Sequence, residues 1–306
     1  MIVRPRPGIL LLFFITRGSI VPKIAPQVLA ITTLSVAVVG GARLYPGSFP
    51  AFILAPFSIL GLALSIFLGF RNNACYDRWW EARRQWGQLI VETRSLARET
   101  LCLLGEADAE EDALRRRIVR RGIAFAAALA ARLRHDAADL SAWLDPREAA
   151  EVKSKRNIPE AILRLQAADL ARCRRTGRLS DILFQMLAMR LAPMAGIQAA
   201  CERIATTLLP LACTLLVHRT AYLFCLLLPF GLVATLGWAT PLVAAITAYT
   251  FFGLDALGDE LEEPFGGSEN GLPLAALVRV IEISVLEAAG ESELPEPLQP
   301  VGHVLR

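Results

Sequence analysis

The hydrophobic residues of this chain are concentrated in two long blocks with a long polar stretch between them. Segment 24–70 contains a single charged residue, Arg43, and segment 208–254 contains only Arg219. The intervening stretch is rich in Ala, Leu, Arg and Glu, and breaks in it are predicted near residues 105–109, 145–146 and 153–159. Its apolar residues recur at the spacing of amphipathic helices, with two sets predicted to share a face: Leu89, Leu96, Leu103 and Leu104, and Ile118, Phe125, Leu129 and Leu133. The pattern therefore predicts a membrane block, a polar helical block, a second membrane block and a C-terminal segment in which acids dominate.

Each hydrophobic block predicts two helices that cross a membrane. In the first block, 24–42 and 51–70 flank a turn rich in Pro and Gly, and about twenty apolar residues in a helix span roughly 30 Å. In the second block, 220–238 is long enough to span, although Pro229 interrupts it. Segment 241–254 is short for a lipid-facing helix. The sequence thus predicts an all-α membrane protein with four transmembrane helices and a helical cytosolic region.

The charges place these segments relative to the membrane. Basic residues cluster before residue 24 and after residue 70, and cytoplasmic flanks carry such an excess. Both termini and the polar block are therefore expected in the cytoplasm, with the chain in the cell membrane. Apolar segment 9–15 lacks a cleavage site and favours an interfacial helix over a removed signal peptide. The predicted segments are 1–23 (N-terminal, interfacial), 24–70 (transmembrane helices 1 and 2), 71–207 (cytosolic, helical), 208–254 (transmembrane helices 3 and 4) and 255–306 (acidic, cytosolic).

Composition and charge exclude several classes of protein. The chain is 54% hydrophobic, with a mean hydropathy of +0.45, which excludes a largely disordered chain and argues against ordinary soluble domains. A net charge of +3 gives no field that would attract nucleic acid. The six cysteines and three histidines show no spacing of metal ligands, so neither a metal nor a cofactor is expected. The cysteines are interpreted as small buried hydrophobic residues. The arginine clusters at 115–121 and 172–175 are interpreted as solvated helix faces or partners in salt bridges rather than a phosphate site.

Two stripes mark the second predicted membrane helix. Small residues recur every fourth position at Gly61, Ser65 and Gly69. Such residues let another helix approach closely. Bulky apolar residues recur one position later at Leu62, Ile66 and Phe70. The bulky stripe either faces lipid or faces a symmetry axis, where a ring of such helices would form an apolar constriction that opens onto the amides of Asn72 and Asn73.

Several stretches resemble the bacterial branch of the bestrophin family. Residues 67–83 have the sequence FLGFRNNACYDRWWEAR, and 55–61 have APFSILG. Segments 201–205 (CERIA), 218–225 (HRTAYLFC) and 262–266 (EEPFG) resemble further blocks of that family in the same order.

The resemblance implies a homopentameric ion channel with one continuous pore on the five-fold axis. It places a hydrophobic neck at Leu62, Ile66 and Phe70, with Asn72 and Asn73 as polar pore lining. It also implies a second constriction at the cytoplasmic exit, at Leu179 or Ile182. Membrane lipid and small monovalent ions would be the partners, and no nucleic acid is expected.

Two departures from the animal members of the family concern ions. Leu62 and Ile66 replace neck residues that are more aromatic in animals, so the anion selectivity of those members is not carried over; bacterial members similar to this chain can be permeable to cations. Segment 267–271 contains one carboxylate, whereas Ca²⁺ binds six to eight oxygens. An animal-type calcium site is therefore predicted to be absent. The acids at 255–263 are expected to pair with the basic polar block, or alternatively to attract cations near the pore.

Two other functions remain as alternatives. A secondary transporter of a small solute would favour internal repeats and helices broken at the membrane midplane, and neither is evident here. A membrane enzyme would need a nucleophile and base or a set of metal ligands. His218 beside Arg219 is the only suggestive pair, and a packed or interfacial role is favoured for it. The choice between anion and cation selectivity stays open at this point.

Overall fold

A computed structural model describes residues 1–4, 8, 15–45, 54–104 and 109–305. In this part of the chain the secondary structure is helical, without a strand. The helices are α1 (Val21–Leu44), α2 (Leu54–Leu103), α3 (Ala109–Arg134), α4 (Pro146–Lys153), α5 (Ile158–Arg175), α6 (Asp181–Ala188), α7 (Leu191–Thr206), α8 (Leu211–Leu236), α9 (Thr240–Glu262) and α10 (Leu274–Ala288). The expected interfacial helix at 9–15 falls almost entirely outside the described residues, as do residues 46–53.

Within the described residues, four helical stretches are long and apolar enough to cross a membrane: Val21–Leu44, Ala55–Leu103, Asp181–Thr206 and Leu211–Glu262. The last of these contains α8, a short 3₁₀ turn at Gly237–Ala239, and α9, so it holds the two helices predicted over 208–254. The stretch Asp181–Thr206, which comprises α6 and α7, lies in the region predicted to be polar and cytosolic. It qualifies by composition because charged residues are sparse there.

The helices do not end where the hydropathy changes. Helix α2 runs for 50 residues and passes the predicted boundary at residue 70 without interruption. Helix α9 has 23 residues and continues to Glu262, so the short apolar segment 241–254 is only part of a full-length helix. A backbone helix continues as long as its hydrogen bonds do, whatever the polarity of its side chains. Boundaries placed by hydropathy therefore fall inside α2 and α9.

The chain divides into two compact units. The first, called here the membrane unit, comprises Arg4–Trp79 and Leu208–Pro264. The second, called the polar unit, comprises Met1–Val3, Trp80–Thr207 and Phe265–Arg306. Helix α2 contributes its first part to the membrane unit and its second part to the polar unit.

Aliphatic and aromatic side chains form the core of the membrane unit. Leu64 and Leu68 of α2 are at most 2% exposed and belong to the same buried cluster as Ile31 of α1. In α8 and α9, the rings of Phe224 and Phe251 meet edge to face at 5.2 Å, a favourable arrangement for aromatic pairs. This packing fixes which side of α2 faces the core.

A buried arginine joins α2 to α9 at the end of this core. The guanidinium of Arg71, with its side chain 5% exposed, donates to Asp255 at 2.8 Å and to Asp259 at 2.5 Å, and it also lies 3.4 Å from Glu262. The second carboxylate oxygen of Asp255 lies 2.6 Å from Nδ1 of His218 on α8. A buried charge is tolerated when it is paired and hydrogen-bonded in this way. The carboxylate of Asp255 on α9 therefore contacts both Arg71 of α2 and His218 of α8, so the cluster connects three helices.

Gly258 lies where α9 passes closest to this arginine. A Cβ atom at residue 258 would lie 2.7 Å from Oδ1 of Asn72 and 3.0 Å from Nη1 of Arg71. The guanidinium has little freedom to move, because the acids of α9 hold it. The absence of a side chain at this position is therefore a requirement of the packing.

The polar unit confirms the amphipathic faces predicted from the sequence. Helix α3 buries Ile118, Phe125, Leu129 and Leu133. Of the leucines predicted on one face, Leu89 and Leu96 in the polar part of α2 and Leu104 just beyond its end are at most 4% exposed, while Leu103 is partly exposed. The predicted breaks are also confirmed: α2 ends at Leu103 before α3 begins at Ala109, α4 begins at Pro146, and α5 begins at Ile158.

The arginines near residues 115–121 take part in salt bridges, as predicted. Arg121, whose side chain is 3% exposed, donates to Asp169 at 2.8 Å and to Glu148 at 2.5 Å. Arg117 also donates to Asp169, at 2.9 Å. On the surface, Arg116 pairs with Asp112 one turn away. The buried members of this cluster hold α3, α4 and α5 together.

The interpretation of the cysteines as buried residues holds for four of the six. Cys75, Cys173, Cys201 and Cys225 are buried, whereas Cys102 and Cys213 are exposed, and all six are free thiols. Burial raises the pKa of the Cys173 thiol, which keeps it neutral. The prediction was wrong for Cys102 and Cys213, because both lie on outward faces of their helices.

Replacing Gly258 by Ala should lower the free energy of unfolding by about 1–3 kcal/mol, because the new methyl group displaces the guanidinium of Arg71. Gly253→Ala on the same helix is the matched control, since a Cβ there meets only Ile24, at an ordinary 3.7 Å. The measurement is the midpoint of thermal unfolding of the purified protein in detergent. Equal midpoints for the two variants would contradict the close-packing argument.

Replacing Arg121 by Ala should destabilise the protein by about 3 kcal/mol, because the carboxylate of Asp169 stays buried with one partner fewer. Arg116→Ala removes a salt bridge that is exposed on both sides and should cost at most about 1 kcal/mol. Thermal unfolding in detergent again measures the difference. A loss of stability as small for Arg121→Ala as for Arg116→Ala would show that the buried cluster contributes little.

Candidate functional site

The bulky stripe of α2 is exposed on the side opposite the core. Leu62, Ile66 and Phe70 are 65%, 48% and 67% exposed, whereas Leu64 and Leu68 are buried. Because successive residues in an α-helix are separated by about 100°, these two sets lie on roughly opposite faces. A row of large apolar side chains left uncovered along one helix marks a surface that contacts something else.

The two asparagines beyond the stripe lie on different sides of α2. Asn73 is exposed and follows Phe70 by three residues, so it continues the stripe. Asn72 is only partly exposed, and its Oδ1 packs beside Gly258 of α9. Of the two predicted polar lining residues, the structure places only Asn73 on the face of the bulky stripe.

The small stripe permits close packing at one of its three positions. A Cβ atom at Gly61 would lie 3.1 Å from the ring of Phe224 on α8, as expected where small residues let helices approach. The hydroxyl of Ser65 instead donates to the carbonyl of Gly61 within the helix, at 2.8 Å. Gly69 has open space where a Cβ would be. Sequence analysis missed a closer approach at Gly231, where a Cβ would lie 2.8 Å from the ring of Phe57.

The acids at the end of α9 form ion pairs, as the sequence favoured. Asp255, Asp259 and Glu262 bind Arg71, the first residue of the polar block. Glu260 pairs at 2.6 Å with Lys23, a residue outside that block. Glu262 also accepts a hydrogen bond from the backbone N–H of Leu209, at 3.1 Å. These carboxylates are thus used in holding helices together.

His218 has the packing role that was favoured for it. Its Nδ1 contacts Asp255, and its ring lies 4.6 Å from the ring of Tyr222. Segment 267–271 contains Glu269 as its only acid. Among the described residues, no group of three or more His, Cys, Asp or Glu side chains is arranged to hold a metal ion.

The two candidates for the cytoplasmic constriction differ in burial. Leu179 precedes α6 and is 3% exposed, so its side chain belongs to the core of the polar unit. Ile182, in the first turn of α6, is 72% exposed. The hydroxyl of Ser180 caps this helix by accepting the N–H of Leu183, at 3.3 Å. Met186 and Met189 continue the exposed face from Ile182. Of the two candidates, only Ile182 therefore presents its side chain at the surface.

Comparisons with known proteins agree on one family. The family model described as Bacterial/Fungal Bestrophin protein matches residues 1–287. A protein of Mesorhizobium japonicum, named a voltage-dependent anion channel-forming protein, is 49% identical over 294 residues, which cover 95% of this chain and 93% of the relative. A protein of Escherichia coli K12 with the same descriptive name is 43% identical, with 99% of each chain covered.

The solved structures show the same fold. A crystal structure of a bacterial bestrophin homologue from Klebsiella pneumoniae has a TM-score of 0.84 and 37% sequence identity to this chain. The match covers 88% of this chain and 100% of that one. The helical architecture, the stretches singled out in the sequence and these similarities lead to one conclusion: the chain belongs to the bacterial and fungal bestrophin family.

Proposed function

We propose that five copies of this chain form an ion channel in the cell membrane, with the exposed face of α2 lining a pore on the five-fold axis. Leu62, Ile66 and Phe70 form its neck. The observation that carries the proposal is the exposure of this stripe opposite the buried side of α2. Assembly around an axis places each of the three residues in a ring of five, and it covers a surface that a single chain leaves open.

An apolar neck can control the flow of ions through the proposed pore. Where a passage is narrow and lined with hydrocarbon, water leaves it readily, and ions lose their hydration. The rings of Leu62, Ile66 and Phe70 would present such a lining over two turns of helix. Asn73 follows on the same face, and its amide offers hydrogen bonds to hydrated ions as they leave the neck. Ile182, exposed at the start of α6, is the candidate for the second constriction.

Small monovalent ions are the proposed substrates, and no covalent step is involved. The relatives are named anion channel-forming proteins, and that naming favours chloride. The neck residues Leu62 and Ile66 are aliphatic and uncharged, so they exclude neither sign of ion. The proposal includes no cofactor and no calcium site, because one carboxylate in segment 267–271 is too few for Ca²⁺. It includes no nucleic-acid partner either.

The proposed topology follows from charge. The basic residues before α1 and in the polar part of α2 favour a topology with both termini and the polar unit in the cytoplasm. Lipid then surrounds the apolar helices of the membrane unit. A secondary transporter would need a binding site that opens to each side in turn, so it would carry at most the small current of its turnover rather than an ohmic channel current.

Purified protein in a planar bilayer under a KCl gradient should show a steady ohmic current. The measurement is the reversal potential, whose sign assigns the current to K⁺ or to Cl⁻. Mass photometry of the same preparation should give the mass of five chains. Verified insertion without current under any condition would contradict the channel and favour the transporter.

Replacing Ile66 and Phe70 by Ala should raise single-channel conductance by about twofold or more, because both changes widen the proposed neck. Leu242→Ala is the matched control, since Leu242 is 66% exposed but lies on α9 rather than on the stripe of α2. Its conductance should equal that of the unaltered protein. An unchanged conductance in the Ile66 and Phe70 variants would mean that the stripe faces lipid.

A further inference from the structure

An acidic residue lies on the same face of α2 as the proposed neck. Asp77 follows Phe70 by seven residues, which is two helical turns less about 20°, so the two side chains leave the helix in nearly the same direction. Along the helix axis they are about 10.5 Å apart. Both residues are exposed, and Asn73 lies between them on this face.

Asp77 and Glu263 are the two acids of the membrane unit for which the described residues provide no cation partner. Asp255, Asp259 and Glu262 bind Arg71, and Glu260 binds Lys23. The structure shows neither an ion pair nor a side-chain hydrogen bond for Asp77 within the residues it describes. Its charge is therefore not neutralised within the described part of the chain.

The basic residues near Asp77 along α2 are directed elsewhere or are distant. The neighbouring Arg78 donates its Nε–H to the backbone carbonyl of Glu262 at the end of α9, at 2.7 Å. Arg84 is exposed on the same face, but it lies seven residues further along the helix. That separation of about 10.5 Å is roughly one Debye length at 0.1 M salt, so Arg84 only weakens the field of Asp77.

We infer that Asp77 is a selectivity-determining residue: in the assembled channel, five Asp77 carboxylates form a ring beyond the neck that attracts cations and repels anions. This inference rests on the proposed pore. A passage with walls of one charge sign concentrates ions of the opposite sign. The neck itself carries no charge, so the nearest fixed charge on its face sets the balance. The ring opposes the anion preference that the names of the relatives suggest.

The test is the permeability ratio of K⁺ to Cl⁻ for Asp77→Asn, from reversal potentials in planar bilayers. At about 0.1 M salt the ratio should fall about threefold or more, since a potential of roughly one kT changes the local ion concentration by that factor. At about 1 M salt, where the Debye length is about 3 Å, the difference should shrink. Asp77→Glu keeps the charge and should keep the original ratio. Glu263→Gln is the control, because it removes an exposed charge at the end of α9 rather than on the face of α2, and it should also leave the ratio unchanged.

Chemical modification of a cysteine variant tests the same inference if Asp77→Asn fails to assemble. Asp77→Cys treated with an anionic thiol reagent should regain a cation preference, and a cationic reagent should shift the ratio towards chloride. The unaltered protein is treated in parallel, because Cys102 and Cys213 are exposed. An Asp77→Asn channel with the original ratio at both salt concentrations would overturn the ring while leaving the pore in place. Absence of current from the unaltered protein would instead overturn the pore itself.

Discussion

The buried guanidinium of Arg71 is the interaction on which the membrane unit depends. It lies among three carboxylates of α9, and one of them, Asp255, also contacts His218 of α8. An arginine suits this place because its planar fork of donors serves several acceptors at once, and because it stays charged when buried. With Arg71 held against α9, helix α2 cannot rotate about its axis. Together with the packing of Leu64 and Leu68 in the core, that restraint keeps Leu62, Ile66 and Phe70 exposed on the far side.

Each of the two units contains a buried arginine that is paired with acids. In the polar unit, Arg121 is held by Asp169 and Glu148, as Arg71 is held in the membrane unit. In both places the acids come from other helices, so the pairing fixes helix against helix as well as neutralising charge. This has a consequence for function, because acids engaged in such clusters contribute little field to a passage for ions. In the proposed channel, the charges that remain unpaired at the surface would determine the field that an ion meets.

Sequence patterns predicted the helices and their faces well. The periodicity of the leucines in α2 and α3 and the breaks at Pro146 and near Ile158 are local properties, which a single chain displays directly. The partners of Arg71 could not be predicted in this way, because they lie more than 180 residues away in the chain and depend on tertiary contacts. The different burial of Asn72 and Asn73 likewise depends on the rotation of α2 about its axis, since a shift of one residue changes the face. The different burial of Leu179 and Ile182 depends on the turn that precedes α6.

The close approach at Gly258 has an evolutionary consequence. A side chain at position 258 collides with the guanidinium of Arg71, and a smaller residue at position 71 leaves the acids of α9 without their cation. Neither position can drift alone without an intermediate that folds poorly. Substitutions there would have to arrive together or follow a compensating change, so this helix crossing should diverge more slowly than the exposed surfaces of the same helices.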